Sequence, residues 1–235
     1  MDFKREVVKI NDNLYRIEEG FVRWFLIEGS EKAAVIDTGV IGSGIKEVIE
    51  ELTNKEVILI NTHGDGDHTA GNGFFAQYYI GKEDFENCDM ASRYPDSKAV
   101  FLEDGDIIEL GNRPLEIITI PGHTFGSVAI YDKTTKILFA GDTVQDGSIF
   151  MFGSKRCPES FGSSLEKLVK RQADFDTIIG SHGTAGLPGD YAKKVLDSWK
   201  DVQNGKCTCE EINMHGTDVL SCKAEYCGFF LDKTK

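Results

Sequence analysis

The chain has 235 residues, 40% of them hydrophobic, and is long enough to bury a sizeable core within one domain. A formal net charge of -13 and the lack of any basic run exclude DNA or RNA as the expected partner, because affinity for phosphate backbones needs clustered Lys and Arg. The N-terminus MDFKREVVKI lacks a signal-peptide-like apolar stretch, and no window approaches the roughly 20 apolar residues that cross a bilayer. We therefore expect a cytoplasmic protein without a membrane partner.

Four short segments at the start of the chain predict strands, because they are rich in β-branched and aromatic residues and are separated by turn residues. They are VVKI (7–10), NLYRIEE (13–19), FVRWFLIEG (21–29) and KAAVIDTG (32–39). A helix is predicted next, since Ile45, Val48, Ile49 and Leu52 recur at helical spacing. No internal repeat or low-complexity segment interrupts the chain, which favours one continuous fold.

Four later apolar runs have the length and composition of buried strands, and a loop containing a His or an Asp follows each of them. The runs are VILIN (57–61), LEIITI (115–120), KILFAG (136–141) and DTIIGS (176–181). The loop residues are His63, His123, Asp142 and His182. Layered α/β folds place their ligand crevice beyond the carboxyl ends of such strands, so we expect these side chains to meet.

Two further segments predict helices near the end of this region. SSLEKLVKRQADF (163–175) begins with the capping-box spacing of Ser163 and Glu166, and PGDYAKKVLDSWKDV (188–202) begins with Pro188. Because strand-rich and helical segments alternate twice, the pattern predicts helices packed outside two sheets.

Four of the six cysteines lie near the C-terminus: Cys207, Cys209, Cys222 and Cys227. Disulfides are not expected without a secretory signal, and the CxC and CxxxxC spacing differs from that of the usual zinc knuckles. We interpret these residues as free thiols on a terminal hairpin, which an adventitious disulfide could join, with a structural zinc as the alternative. The segment VLSCKAEYCGFFL (219–231) alternates enough to form a strand, which would either extend a sheet edge or mediate a homodimer.

The loop NTHGDGDHTAGN (61–72) places two His and two Asp within positions 63 to 68. Imidazole and carboxylate ligands together suit divalent metals, and four His with three Asp can fill two neighbouring coordination shells. Gly64 and Gly66 remove steric bulk between the candidate ligands and permit unusual backbone angles. The remaining histidine, His215, is interpreted as an ordinary hydrogen-bonded residue.

Five motifs in order resemble the metallo-β-lactamase fold superfamily of metallohydrolases. They are IDTG (36–39), THGDGDH (62–68), PGHT (121–124), GDT (141–143) and GSHGT (180–184), and the resemblance covers roughly residues 5–200. It implies an α/β fold, an αβ/βα four-layer sandwich of two mixed β-sheets flanked by helices, with a dinuclear metal site at one edge. Residues 1–205 would form this domain, and the Cys-containing extension 206–235 would pack on it.

The resemblance also implies a role for each motif residue. His63 and His123 match ligands of a first metal, and Asp142 matches the bridging carboxylate. The ligands of a second metal are matched by Asp67, His68 and His182. Asp37 matches a position that supports the site by hydrogen bonding.

Position 65 departs from the family pattern, because most members have HxHxDH and this chain has HxDxDH. An acidic residue there resembles the flavodiiron branch, which has HxExDH and uses iron. If Asp65 is a ligand, the extra carboxylate makes the site less positive and shifts its preference from zinc toward iron or manganese. Alternatively, Asp65 orients a neighbouring histidine without touching a metal.

The resemblance implies a hydrolase in which a bridging hydroxide attacks a small ester, thioester, lactone or phosphoester, with Asp67 orienting the nucleophile or moving a proton. The cofactors would be two divalent metal ions, zinc by family or iron or manganese because of Asp65. A di-iron redox or oxygen-binding protein is the alternative. Loop residues that could line the substrate pocket are Phe150, Phe152, Lys155, Arg156 and Tyr191, although Lys155 and Arg156 are interpreted as an ordinary solvated pair.

Overall fold

The computed structural model describes residues 4–214 and 216–233. His215 lies outside the described residues, so its interpretation stays a prediction. In chain order the strands are β1 (Arg5–Asn11), β2 (Leu14–Glu19), β3 (Val22–Glu28), β4 (Lys32–Ile36), β5 (Glu56–Ile60), β6 (Gln77–Gly81), β7 (Lys98–Leu102), β8 (Ile107–Glu109), β9 (Pro114–Thr119), β10 (Val128–Asp132), β11 (Ile137–Phe139), β12 (Ser148–Met151), β13 (Thr177–Ile179), β14 (Leu187–Pro188), β15 (Thr208–Met214), β16 (Thr217–Lys223) and β17 (Gly228–Asp232). The α-helices are α1 (Ile45–Leu52), α2 (Gly66–Thr69), α3 (Lys82–Asn87), α4 (Met90–Arg93), α5 (Pro158–Lys170) and α6 (Tyr191–Gln203).

Two mixed sheets form the centre of the fold. The first contains β1 to β7 in sequence order, antiparallel up to β4 and parallel from β4 to β7. The second has the order β14-β13-β11-β10-β9-β8, and only its β11–β13 pair is parallel. All eight strands predicted from apolar runs are present, and β5, β9, β11 and β13 each lead into a loop with a predicted site residue.

Successive side chains along a strand point to opposite faces of its sheet. The hydrophobic core therefore has three parts, one between the two sheets and one on the outer face of each. Phe25 and Ile27 of β3 face the second sheet, where they share a cluster with Ile117 and Ile130. Their neighbours on β3 pack on the other side, in the cluster that contains α1. The outer face of the second sheet packs against α5 and α6, with Trp199 among the buried residues. The predicted α/β sandwich with helices outside two sheets is confirmed.

Both late helices begin at residues other than the predicted ones. Helix α5 starts at Pro158, a residue favoured in the first helical turn, with Cys157 as its N-cap. Ser163 lies inside the helix and donates its hydroxyl to the Ser160 carbonyl, so the capping-box interpretation was wrong. Helix α6 starts at Tyr191, because Pro188 pairs with Thr177 in the edge strand β14.

The C-terminal strands do not extend either main sheet. They form a third sheet of order β12-β17-β16-β15, in which β17 pairs in parallel with β12. Phe229 of β17 is buried against Phe161 and Trp199 of the two outer helices. The strand order places β12, which follows the Asp142 loop, at the edge of this third sheet beside β17.

Among the cysteines expected as free thiols on a terminal hairpin, one pair is joined by the disulfide that this interpretation allowed. Cys209 and Cys222 face each other across β15 and β16 and form a disulfide, whereas Cys207 and Cys227 are free. Register supplies the reason, since directly opposed side chains in an antiparallel pair lie close together. Within the described residues, the groups able to hold a metal contain no cysteine, so the structural zinc gains no support.

Opening this disulfide is expected to lower the free energy of unfolding by about 2–3 kcal/mol, because the bond closes a loop of sequence separation 13 in the unfolded chain. Thermal unfolding with and without reductant should therefore differ by roughly 5–10 °C. In the Cys209→Ala/Cys222→Ala double variant, reductant should cause no further shift. A wild-type melting temperature that reductant leaves unchanged would contradict the disulfide.

Candidate metal centre

The four predicted histidines meet at one edge of the sandwich, each with the same arrangement of its two ring nitrogens. Each Nδ1 has a partner outside the centre: Thr62 Oγ1 for His63 (3.0 Å), Asp37 for His68 (2.8 Å), the Phe150 carbonyl for His123 (2.9 Å) and the Phe21 carbonyl for His182 (2.7 Å). Carbonyls and carboxylates only accept, and the Thr62 hydroxyl already donates to Asp37. In its neutral form each imidazole therefore carries its proton on Nδ1 and presents the Nε2 lone pair to the centre.

A first group consists of His63, Asp65 and His123. The Nε2 atoms of His63 and His123 are 3.2 Å apart, and Asp65 Oδ2 lies 3.7 Å from the first and 3.4 Å from the second. Two nitrogen lone pairs at this distance repel each other. Donors about 3.3 Å apart are instead what tetrahedral coordination at about 2.0–2.1 Å requires.

A second group consists of Asp67, His68 and His182. Asp67 Oδ2 lies 3.7 Å from His68 Nε2 and 3.5 Å from His182 Nε2. His68 is fully buried, whereas the side chain of His182 is 20% exposed toward solvent. This group is therefore closed on the side of His68 and open to solvent on the side of His182.

Asp142 lies between the two groups. Its Oδ2 atom is 3.5 Å from His123 Nε2 and 3.1 Å from His182 Nε2, and its Oδ1 atom is 3.4 Å from His68 Nε2. His68 Nε2 and Asp142 Oδ1 are buried and have no hydrogen-bond partner. Buried polar atoms are almost always satisfied, so this pair of unpartnered acceptors fits residues that hold a cation.

Burial and neighbouring charges move the pKa values of this cluster in opposite directions. Burial and the charge of His68 hold the pKa of His63 well below its usual range. Burial also acts to lower the pKa of His68, but the carboxylates of Asp142 and Asp37 outweigh it and raise that pKa to about 10. For Asp142, burial acts to raise the pKa, but His182 and His68 hold it well below the ordinary value. The Asp142 carboxylate thus remains charged and demands positive charge at the centre.

Asp37 supports the centre, as the motif implied. It adopts a left-handed conformation with φ of 63°, which Asp tolerates better than most residues. From there its carboxylate accepts bonds from the Thr62 backbone N–H (2.8 Å) and hydroxyl (2.7 Å) and from His68 Nδ1. One buried carboxylate thereby orients histidines of both groups.

The structure corrects the interpretation of Arg156 as a solvated residue. Its side chain is 12% exposed, and its Nη2 and Nη1 atoms donate to Asp65 Oδ2 (2.6 Å) and Oδ1 (3.3 Å). Burial acts to raise the pKa of Asp65, but the neighbouring side chains of His123, His63 and Arg156 hold it well below the usual value. Of the other predicted pocket residues, Phe150 lines the cavity, whereas Tyr191 is buried at the start of α6 and donates to the Tyr226 carbonyl.

Sequence reasoning missed Asp84, a buried carboxylate on α3. It accepts hydrogen bonds from the Gly64 and Gly126 backbone N–H groups (2.8 and 2.7 Å) and from the Thr124 hydroxyl (2.7 Å). Asp84 therefore joins the loop of His63 to the loop of His123. Its position in KEDFEN, among other acidic residues that are exposed, carries no signal of this burial.

The two glycines of the loop serve different purposes. Neither has a positive φ, so the expectation of unusual backbone angles was wrong for both. A Cβ on Gly64 would lie 2.6 Å from Cys88 Cβ, whereas a Cβ on Gly66 would find no atom nearer than 3.9 Å. Only Gly64 is thus required by close packing.

Replacing Gly64 by Ala is expected to destabilise the chain by about 1–3 kcal/mol, because the added methyl overpacks the contact with Cys88. The matched Gly66→Ala variant should change stability by less than about 0.5 kcal/mol. Urea unfolding measures both, and the Gly64→Ala/Cys88→Ala double variant should recover part of the loss. Equal effects at the two glycines would refute this assignment.

A cavity of about 750 Å³ opens onto the centre. Its lining includes Asp67 and His182 of the second group and the aromatic side chains of Phe21, Phe150 and Phe230. Arg23 also lines it, but donates to the carbonyls of Gly180, His182 and Gly183, and thereby holds the His182 loop. The cavity thus combines an apolar wall with the open side of the ligand cluster.

Residues 17–182 match the metallo-beta-lactamase superfamily. The chain is 29% identical over 206 residues to the acyl-coenzyme A thioesterase MBLAC2 of Homo sapiens, covering 68% of this chain and 74% of that protein. It is 33% identical over 130 residues to the hydroxyacylglutathione hydrolase of Nostoc sp., covering 52% and 50%. Among solved structures, a metallo-beta-lactamase from Pontibacter korlensis superposes with a TM-score of 0.70 at 20% identity, covering 84% of this chain and all of that one.

The chain therefore belongs to the metallo-β-lactamase superfamily. The prediction of a hydrolase of this superfamily is confirmed at that level by the family match and by the hydrolase names of the relatives. The chain spans about half the length of the hydroxyacylglutathione hydrolase. In the described part of the chain, every helix is too short or too polar to traverse a membrane.

Proposed function

We propose that this chain is a metal-dependent hydrolase with a dinuclear centre. His63, Asp65 and His123 would hold one ion, Asp67, His68 and His182 the other, and Asp142 would contact both. The observation that carries this proposal is the common orientation of four imidazoles, each with Nδ1 engaged outside and Nε2 directed at the carboxylates of the centre. The superfamily favours zinc, and the oxygen ligand Asp65 favours iron or manganese as alternatives.

Two divalent ions bound there would supply Lewis acidity for a substrate carbonyl and for the ionisation of a water molecule. Asp67 is the residue placed to assist, because its side chain is 27% exposed and lines the cavity. We propose that its carboxylate orients the attacking water and accepts a proton at Oδ. Phe21 and Phe150 would exclude bulk water from the same region.

We propose a small thioester or ester as the substrate, with its acyl group in the aromatic part of the cavity. Two relatives support the thioester, since one is named for acyl-coenzyme A and the other for a hydroxyacylglutathione. A phosphoester at the reacting centre is disfavoured, because the two arginines that line the cavity, Arg23 and Arg156, bind carbonyls and carboxylates of the chain itself. A lactone would fit the same aromatic wall.

The test is hydrolysis of a matched panel: an acyl-coenzyme A, an S-acylglutathione, a lactone and a phosphodiester. We expect the thioesters to be cleaved fastest, the activity to disappear with a chelator, and zinc or manganese to restore it. Faster cleavage of the phosphodiester, or thioester cleavage that survives chelation, would refute the proposal. Bound iron with an oxygen-dependent visible band and no hydrolysis would instead favour the di-iron redox alternative, which Asp65 alone supports.

The remaining organisation stays a prediction: a domain over residues 1–205 with the extension 206–235 packed on it, a cytoplasmic location and a homodimer. The pairing of β17 with β12 supports the packing of the extension on the domain.

A further inference from the structure

Asp65 and Arg156 form a direct ion pair at the edge of the first ligand group. The guanidinium donates through two nitrogens to the two carboxylate oxygens, the bidentate geometry that gives the strongest pairs. The Oδ2 atom that receives the 2.6 Å bond from Arg156 is also the one 3.4 Å from His123 Nε2. Both side chains are largely buried, at 12% exposed for Arg156 and 17% for Asp65.

Among residues 4–214 and 216–233, no Lys or Arg forms a comparable pair with Asp67 or Asp142. In the part of the chain that the structure describes, Asp67 and Asp142 have ion pairs only with histidines. Arg93, which lies near the same loop, is occupied by the Gly64 carbonyl, Thr69 and Tyr94. Arg156 thus pairs with the carboxylate at position 65, the position where the chain departs from the family motif.

The backbone fixes Arg156 beside the loop of His123. The Arg156 N–H donates to the Gly153 carbonyl (3.3 Å), and the next residue, Cys157, donates to the Gly122 carbonyl (2.8 Å). Cys157 is also the N-cap of α5, whose helix is packed in the core. Arg156 is therefore held by the fold rather than by the ion pair alone.

We propose that Arg156 is a positioning residue that aims Asp65 at the first metal and cancels its charge, so that the pair replaces the neutral imidazole usual at this position. A carboxylate and a guanidinium together have no net charge, as a neutral imidazole has none. The extra negative charge expected from Asp65 is thereby offset, whereas the oxygen donor remains. This inference rests on the dinuclear centre of the proposed function.

If Arg156 cancels the charge of Asp65, a second substitution at position 156 should restore zinc affinity that a substitution at position 65 has lowered. Asp65→Asn removes a charged ligand and leaves Arg156 as an unpaired cation near the metals, which should weaken zinc binding at one of two sites at least about 100-fold. Adding Arg156→Met removes that cation and should recover at least about tenfold. In the same way, Asp65→His alone should bind zinc weakly, and Asp65→His/Arg156→Met should bind two ions with near wild-type affinity.

The experiment measures both zinc dissociation constants by chelator competition on the full chain, for the wild type and each variant. Lys155→Met, which removes the same charge from the adjacent residue, is the control for Arg156→Met and should give no recovery in either background. Thermal unfolding of the chelator-treated variants checks that each is folded. Activity is not needed as a readout.

The inference is supported if zinc affinity recovers when Arg156→Met is added to the Asp65 variants and does not recover when Lys155→Met is added. If Arg156→Met weakens zinc binding further in both the Asp65→Asn and the Asp65→His backgrounds, or if Lys155→Met recovers as much, the inference is overturned. A wild-type chain that binds two zinc ions without any recovery in the double variants refutes this inference and leaves the proposed function intact. A wild-type chain that binds no divalent ion refutes the proposed function itself.

Discussion

Replacing Asp142 by Asn is expected to remove one or both metal ions and to lower kcat/KM for the thioester about 1,000-fold. Asp142 is the carboxylate whose oxygens reach both ligand groups, with Oδ2 3.5 Å from His123 Nε2 and 3.1 Å from His182 Nε2. The substitution removes a negative charge that offsets the cations. It also places an amide N–H group where a metal ion needs an acceptor. The side chain therefore keeps its shape but loses its capacity to bind two ions.

Metal content and kcat/KM should be measured on the same preparation of the Asp142→Asn variant. Asp197→Asn is the matched control, because Asp197 lies on α6 and pairs only with Lys193 on the surface among the described residues. That variant should keep two ions and full activity. An Asp142→Asn chain that retains two ions and works within about tenfold of the wild type would contradict the role given to Asp142.

Replacing Asp84 by Ala is expected to cost about 3–5 kcal/mol of unfolding free energy, the largest stability effect predicted outside the hydrophobic core. Three donors from two loops would lose their acceptor in a buried place: the N–H groups of Gly64 and Gly126 and the hydroxyl of Thr124. Burial raises the pKa of Asp84, while these donors act to lower it, so they offset part of the cost of burying the charge. Because the loops carry His63 and His123, zinc binding should weaken as well.

Urea unfolding of the Asp84→Ala variant measures this effect, and the Glu86→Ala variant of the same helix is its control. Glu86 is exposed on α3, and its replacement should change stability by less than about 0.5 kcal/mol. A loss below about 1 kcal/mol for Asp84→Ala would show that the loops are held by other contacts.

Much of the fold could be predicted from the sequence, because its buried strands are distinguished by composition. VILIN and DTIIGS have few interpretations other than a strand, and their carboxyl ends locate His63 and His182. The region of residues 77–102 was not predicted. Its helices α3 and α4 have six and four residues, too few for a helical period to be visible.

The residues that meet at the candidate metal centre could be predicted because they lie in short motifs, but their supporting residues could not. Arg156 is 91 positions from Asp65, and Asp84 is 42 from Gly126, so no local pattern links either pair. A charged residue in a loop is usually solvated, and only the tertiary fold reveals that Arg156 is buried against a carboxylate. For a similar reason the sequence could not show which cysteines a disulfide joins, because the pairing of Cys209 with Cys222 depends on the register of β15 and β16.

Anomalous scattering across the zinc, iron and manganese edges, on crystals grown without added metal, tests the central claim most directly. We predict two peaks, one among His63, Asp65 and His123 and the other among Asp67, His68 and His182, with Asp142 in contact with both. A single peak, or peaks outside these two groups, would contradict a dinuclear centre.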